Sequence, residues 1–320
     1  GLPLEVGVVV LNVETLWNLA EAREGIPVTR KWVTVSGAVN IPGTLHVPLG
    51  TSIKELIELS GGPTVSDYEI INGGPMMGKL VTNIKEPVVK TTKGLLVLPK
   101  TNPVIQNRIR PLSVILRQAQ SLCCQCQMCT DLCPRNLLGY KINPNKTILS
   151  ASYKWQLSRS QITESFLCSE CGVCDLYACP MGLSPRRINQ ALKGELVRQG
   201  IKNPYKGSKA FVNPWRSFRR IPTKRLISRL DLASYHTPES IREIDIRPDI
   251  VEIPLKQHVG VPARPIVFPG DRVEVGQLIA EIPEEGKLSS NLFASVSGVI
   301  TEVTEEKILI SSSENLEGVR

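Results

Sequence analysis

Cys123-Cys124-Gln125-Cys126-Gln127-Met128-Cys129-Thr130-Asp131-Leu132-Cys133-Pro134 is answered by Cys168-Ser169-Glu170-Cys171-Gly172-Val173-Cys174-Asp175-Leu176-Tyr177-Ala178-Cys179-Pro180, with 34 residues (134 through 167) between the two cysteine runs. Each run holds three cysteines at two-residue gaps and a fourth just before a proline. Three thiolates at that spacing let a tightly turning chain reach three irons of one [4Fe–4S] cube, while the fourth corner points away. In two-cluster ferredoxins the cysteine before proline ligates the other cluster. That rule gives one set of Cys123, Cys126, Cys129 and Cys179, and a second of Cys168, Cys171, Cys174 and Cys133. The alternative is structural zinc, which more often uses two separated cysteine pairs that close a tetrahedron. The second run carries one residue more before its last cysteine than the first. Cys124 falls outside both sets and reads as a small buried residue beside the cluster, ahead of the alternative of a reactive thiol.

All nine cysteines lie between 123 and 179. Disulfides that staple a secreted domain are usually spread along the chain, so this clustering points to metal chemistry in a reducing cytoplasm. No apolar run approaches the ~20 residues that span a bilayer, and no signal peptide is visible. The chain has 320 residues, which favours two or three domains, and its 5% aromatic content predicts aliphatic cores.

The formal charge of +8 is concentrated. Between 201 and 230 stand nine basic residues (Lys202, Lys206, Lys209, Arg216, Arg219, Arg220, Lys224, Arg225 and Arg229) and no acidic one. That stretch reads as a solvated connector or as a docking patch for an acidic partner, an anionic surface or a nucleotide.

Working outward from the cysteines, the flanking sequence is helical. Arg110 to Gln120 leads into the first run and Ile162 to Leu167 into the second. Ser184 and Pro185 open a further helix that Gly200 ends. Upstream, Trp32 to Val39 alternates as a half-buried strand, Pro42-Gly43 turns the chain, and Leu45 to Val47 is a second strand. Ser52 caps a helix, Ile53 to Leu59, with Glu55 in the capping-box position. Tyr68 to Ile71 and Gly94 to Leu98 are further strands. Val8 to Leu11 is expected as a strand, with a helix from Leu16 to Arg23. Downstream, short runs around Val273, Leu278, Ala294 to Val303 and Ile308 to Ile310 suggest a small barrel or sandwich.

These segments resemble the electron-transport proteins of the RnfC family and the flavoprotein component of respiratory complex I. Val33 to Val39 with Pro42-Gly43 and Val47-Pro48-x-Gly50-Thr51-Ser52 resembles their SLBB β-grasp domain, and Gly73-Gly74-Pro75-Met76-Met77-Gly78 a signature of the same group. Asn12-Val13-Glu14-Thr15-Leu16 is similar to the end of their FMN-binding domain. The resemblance implies that Asn12 and Thr15 approach the flavin; the plainer reading is a strand-to-helix cap. The motif Ile253-Pro254-Leu255-x-Gln257-His258-Val259-Gly260, with Gly270-Asp271 and Gly276-Gln277, stands here after the cysteine runs, whereas in RnfC proteins it precedes the flavin domain. That order resembles the cobalamin reductase family of propanediol-utilisation microcompartments.

The resemblance implies an α+β multidomain chain: a remnant of an FMN-binding domain at 1–30, an SLBB β-grasp domain at 31–105, an α-helical two-cluster ferredoxin domain at 106–200, a basic linker at 201–248, and an all-β barrel-sandwich hybrid at 249–314. It implies an oxidoreductase that passes electrons from NADH and FMN through two [4Fe–4S] clusters to a corrinoid (cobalamin), giving cob(I)alamin for adenosylation. The implied partners are an adenosyltransferase or microcompartment shell and lumen proteins, with no nucleic acid, and the implied location is a cytoplasmic microcompartment. No Gly-rich nucleotide loop precedes Asn12, so the numbered sequence is expected either to be a truncation or to lack the flavin part. Other readings are a peripheral Rnf-like component and a zinc-holding scaffold. Lys287, near the expected hairpin tip of the last module, lacks the neighbours of a swinging-arm site and reads as a solvated lysine. His258 reads as structural, although imidazole could ligate cobalt. Met76 and Met77 could sit near a cofactor, but such methionines more often fill a core gap.

Overall fold

The computed structural model describes residues 3–153, 162–205, 211–236, 240–242, 246–283 and 288–312. Lys206, Lys209 and Lys287 lie outside the described residues. The chain divides into two units, one of residues 10–74, 79–98 and 237–320, the other of residues 1–9, 75–78 and 99–236.

The first unit is built on strands. The alternation at 30–37 becomes β1 (Arg30–Gly37), with Lys31, Val33 and Val35 facing inward. The inward lysine is compensated by an ion pair to Glu14, which also accepts from the Trp32 amide at 3.3 Å. Glu14 lies in α1 (Val13–Arg23), so this contact fixes α1 against β1. The turn at Pro42-Gly43 brings back β2 (Gly43–Pro48), whose Leu45 pairs with Val33. Ser52 and Glu55 form the expected capping box at the start of α2 (Ile53–Leu59). The sheet continues with β3 (Tyr68–Asn72), β4 (Lys79–Leu80) and β5 (Gly94–Pro99).

The edge of that sheet comes from far along the chain. β6 (Ser240–Arg242) lies parallel to β2, giving the order β4-β3-β5-β1-β2-β6. The remaining strands are β7 (Ile250–Pro254), β8 (Arg264–Pro265), β9 (Arg272–Val273), β10 (Leu278–Glu281), β11 (Leu292–Phe293), β12 (Gly298–Val303) and β13 (Lys307–Ser312). They form a three-stranded sheet, β11-β10-β8, and a four-stranded sheet, β7-β13-β12-β9. The junction with the β-grasp sheet is hydrogen-bonded: the Lys90 amide donates to Gln257 Oε1 at 2.9 Å, and Glu252 N to Gly50 O at 3.1 Å. His258 is held by Ser290 Oγ at 2.8 Å and the Val259 carbonyl at 3.0 Å, in keeping with a structural role.

The second unit is helical: α3 (Pro103–Ile109), α4 (Leu112–Leu122), α5 (Met128–Asp131), α6 (Pro134–Leu137), α7 (Pro144–Tyr153), α8 (Pro185–Arg198) and α9 (Thr223–Arg229). The sequence predicts a helix from Arg110; α3 and α4 are instead separated there, because Pro111 pushes Arg110 to an extended ψ of 126°. Ile115 and Ala119 of α4, Ile148 of α7 and Ile188 of α8 close a core onto Cys179. A second cluster packs Ile142 and Leu167 onto Cys133.

Two local expectations are corrected. Val8 to Leu11 forms no strand, since apolar residues alone do not make one without a neighbouring ladder. Met77 is 61% exposed and fills no core gap. It is the backbone of its loop that binds, through carbonyls that accept from arginines of the helical unit.

Replacing Ser52 with Ala should cost about 1 kcal/mol and with Gly only a few tenths, since Gly tolerates the cap conformation. Urea unfolding followed by circular dichroism checks this, and equal losses for both would contradict the cap.

Candidate metal centres

The first cysteine run leaves α4 and immediately adopts an unusual backbone. Gln125 and Gln127 take positive φ, 54° and 62°. In the second run the corresponding residues, Glu170 and Gly172, do the same at 59° and 81°. Both runs therefore share one pattern, a left-handed residue on each side of the middle cysteine. Few side chains adopt that conformation willingly, and each use of it bends the chain so that successive thiols converge.

Glu170 is anchored by Gln190 Nε2 at 2.9 Å and Lys193 Nζ at 2.8 Å. Burial pushes its carboxyl up, but these two partners prevail and hold it below the usual value. At 172 the first run's glutamine gives way to glycine for a steric reason. A Cβ there would stand 2.9 Å from the Met76 carbonyl and 3.2 Å from Arg186 Nη1.

The extra residue of the second run has a definite place. Val173–Tyr177 forms a π-type turn, with Ala178 N donating to Val173 O at 2.8 Å. One added residue inside a helical turn is what such bulges absorb. In the first run the shorter gap is spanned by α5, with Cys133 N bonded to Thr130 O at 3.0 Å.

The thiols gather in two groups. One pocket is lined by Cys123, Cys126, Cys129 and Cys179, and also by Cys124, which is exposed and not buried as the sequence suggests. Another is lined by Cys168, Cys171, Cys174 and Cys133. Each group thus draws three cysteines from one run and the last cysteine of the other. Burial, reinforced by Cys179, Cys126 and Cys123, pushes the Cys129 thiol up to about 12. Burial raises Cys168 to about 11, against the Glu170 amide, with Cys133 and Cys171 adding to the rise. Cys133, Cys174 and Cys179 are likewise raised, chiefly by burial. Packed thiols that resist ionisation beside one another are a donor set that a cationic metal centre relieves. Backbone N–H groups already point at the sulfurs, from Glu170 to Cys168 at 3.4 Å and from Leu183 to Cys179 at 3.3 Å. The donor chemistry therefore fits an iron–sulfur cluster, whose potential such hydrogen bonds tune.

The second cavity has a charged wall that sequence reasoning missed. Asp175, inside the π-type turn, is buried and stands 3.0 Å from Arg186 Nε. Arg186 also donates to Met76 O at 2.7 Å, and Arg108 to Pro75 O at 2.7 Å and Gly78 O at 3.1 Å. Burial first, and Arg186 next, pull Arg108 down to about 10. The Pro75–Gly78 carbonyls therefore serve as acceptors for these two arginines. Asn12 caps α1 by accepting from the Glu14 amide at 3.1 Å, and Thr15 is exposed on that helix's first turn; neither belongs to the thiol groups.

Comparison with known proteins agrees with this architecture. A 4Fe-4S dicluster domain model matches residues 122–184, an SLBB domain model residues 32–80, and an RnfC barrel sandwich hybrid domain model residues 233–319. The fold and the donor set define an iron–sulfur oxidoreductase class. "Cobalamin reductase PduS" of Citrobacter freundii is 43% identical over 311 residues, covering 97% of this chain and 68% of that protein. The protein of the same name from Salmonella typhimurium is 42% identical over the same lengths. A component of the "Proton-translocating ferredoxin:NAD(+) oxidoreductase complex" of Clostridium ljungdahlii is 37% identical over 139 residues, 43% of this chain and 28% of that one. The chain belongs to the PduS cobalamin reductase family.

Gly172→Gln, which copies the first run into the second, should lower bound iron per chain, whereas Gln127→Gly should leave it intact; iron analysis of anaerobically prepared protein distinguishes them. Arg186→Met should cost about 3–5 kcal/mol by stranding Asp175 in the interior. Adding Asp175→Leu should recover part of that loss in urea unfolding, and no recovery would exclude the pairing.

Proposed function

We propose that this chain is the electron-relay part of a corrinoid reductase, with one [4Fe–4S] cluster on Cys123, Cys126, Cys129 and Cys179 and another on Cys168, Cys171, Cys174 and Cys133. The observation that carries this reading is the exchange of Cys133 and Cys179 between the two thiol groups. When bound, such a cluster stores and releases one electron without proton or bond changes. The chain's own residues hold the thiolates, aim N–H groups at sulfur and keep water out with Ile115, Ile148, Ile142 and Leu167.

In this reading electrons enter from FMN reduced by NADH and leave to cobalamin, as the name of the PduS relatives suggests for the acceptor. Asn12 and Thr15 would lie toward the flavin. In support, Val10, Val13 and Trp17 are 74%, 80% and 67% exposed, apolar side chains that suit cover by a flavin-bearing domain. An adenosyltransferase would take the reduced product within a propanediol-utilisation microcompartment. Among the described residues no helix is long and apolar enough to cross a membrane. A peripheral role in an Rnf-type complex is the second reading, favoured by the similarity to the Clostridium ljungdahlii protein; co-purification with integral membrane proteins would select it.

Anaerobic protein should hold about eight irons with matching sulfide and give reduced-state EPR signals of two clusters. Cys179→Ala should bleach only the cluster proposed on Cys123, Cys126 and Cys129, leaving about half the iron. Cys124→Ser should change nothing. Zinc in place of iron, or loss of both clusters on Cys124→Ser, would overturn the assignment. Cluster-free protein that still reduced corrinoid from NADH at full rate would overturn the relay.

A further inference from the structure

We propose that the segment Phe211–Ile221 and the groove beside it form a docking surface for the acidic face of a one-electron carrier protein, beside the thiol group that contains Cys133. This rests on the relay reading above.

The first observation is an open groove lined by Arg216, Arg219 and Arg220 together with Leu132, Leu137 and Leu138. Leu132 is the neighbour of Cys133, so an occupant of this groove rests one residue from a buried thiol. Arg219 is matched by Asp131 at 3.0 Å. Among the described residues no carboxylate pairs with Arg216 or Arg220. The surrounding stretch, 201–230, contains no acidic residue, so even with Asp131 set against Arg219 the segment keeps an excess of positive charge, which steers an anionic partner.

The second observation is what the segment displays. Its backbone is pinned to the cysteine loop: Asn213 N donates to Leu137 O at 3.1 Å, and a side chain at Gly139 would collide with the Phe211 carbonyl. With the backbone held down, the aromatic side chains face solvent. Phe211 is 90% exposed, Trp215 59% and Phe218 81%, and Trp215 meets Phe218 edge-on at 6.2 Å. The whole chain has five Phe and four Trp, so displaying three of these nine outward on one short segment is not core formation. Exposed aromatic residues interleaved with arginine are the composition of interface anchors, and a contiguous apolar patch marks an interaction site. The aromatic row extends beyond the groove, which favours a protein face over a small anion.

The step is a transfer of one electron. The reduced carrier loses one electron, the cluster proposed on Cys168, Cys171, Cys174 and Cys133 gains it, and no bond or proton moves.

The test uses the full chain with clusters loaded anaerobically and flavodoxin, an acidic one-electron carrier, as probe. Arg216→Glu with Arg220→Glu should slow reduction by flavodoxin hydroquinone at least tenfold at low salt and abolish its salt dependence. Trp215→Ala with Phe218→Ala should weaken binding of oxidised flavodoxin at least tenfold, a measurement that needs no cluster. Iron content and the rate with dithionite should stay at wild-type values in both variants. Wild-type rates and binding in both variants would overturn the docking surface. So would arginine-dependent binding of free FMN with carrier kinetics unchanged, which would make the groove a small-anion site. Failure of the relay reading is distinguishable: the wild-type protein would lack iron, yet arginine- and aromatic-dependent binding of flavodoxin would still be read.

Discussion

Everything in the helical unit depends on the exchange of two cysteines. Cys133 and Cys179 each leave the run in which they are written and close the thiol group of the other. A chain that must satisfy this cannot treat its two runs as independent loops. The segment between them has to fold back, and α4, α7 and α8 are the elements that make it do so by closing one core onto Cys179. The second core, around Ile142 and Leu167, seats Cys133 in the same way. Hydrophobic packing thus places the two thiols that sequence spacing alone leaves distant.

The two groups are built on one backbone plan but are not equivalent. The first is lined by Ile148, Leu183 and the exposed Cys124, and lies nearer solvent at Cys126. The second has Arg186 in its wall and Asp175 buried next to Cys174. Charge and hydrogen bonding around a cluster set its potential, so clusters held by such different walls would differ in potential. The residue after the third cysteine is buried in both runs, but it is the neutral Thr130 in the first and the charged Asp175 in the second.

Much of this is legible in the sequence because it is local. The capping box at Ser52, the hairpin turn at Pro42-Gly43 and the proline-started α8 each depend on neighbours within a few residues. The cysteine pattern is legible because its spacing is chemical. What escapes is non-local. Nothing near Arg186 or Arg108 in sequence announces that the carbonyls of Pro75, Met76 and Gly78 will meet them. The residues of Val8 to Leu11 favour a strand, but a strand is made by its partner. The stretch 201–230 reads chiefly by its charge, and its aromatic residues are diluted among prolines and arginines. Only the fold shows that Phe211 and Phe218 face solvent.

The β unit is interrupted, since the chain leaves it after Leu98 and returns at Thr237. During synthesis this imposes an order of events. β1 to β5 emerge early, but β2 waits for its parallel neighbour β6, and Lys90 for Gln257, until the whole helical insertion has been made. At about 5–20 residues per second that delay is on the order of ten seconds. A half-finished sheet with an open edge therefore coexists with nascent cysteine runs that have not yet received metal, and the interval is a period of exposure to mispairing and to oxygen that a contiguous arrangement of the same modules would not have.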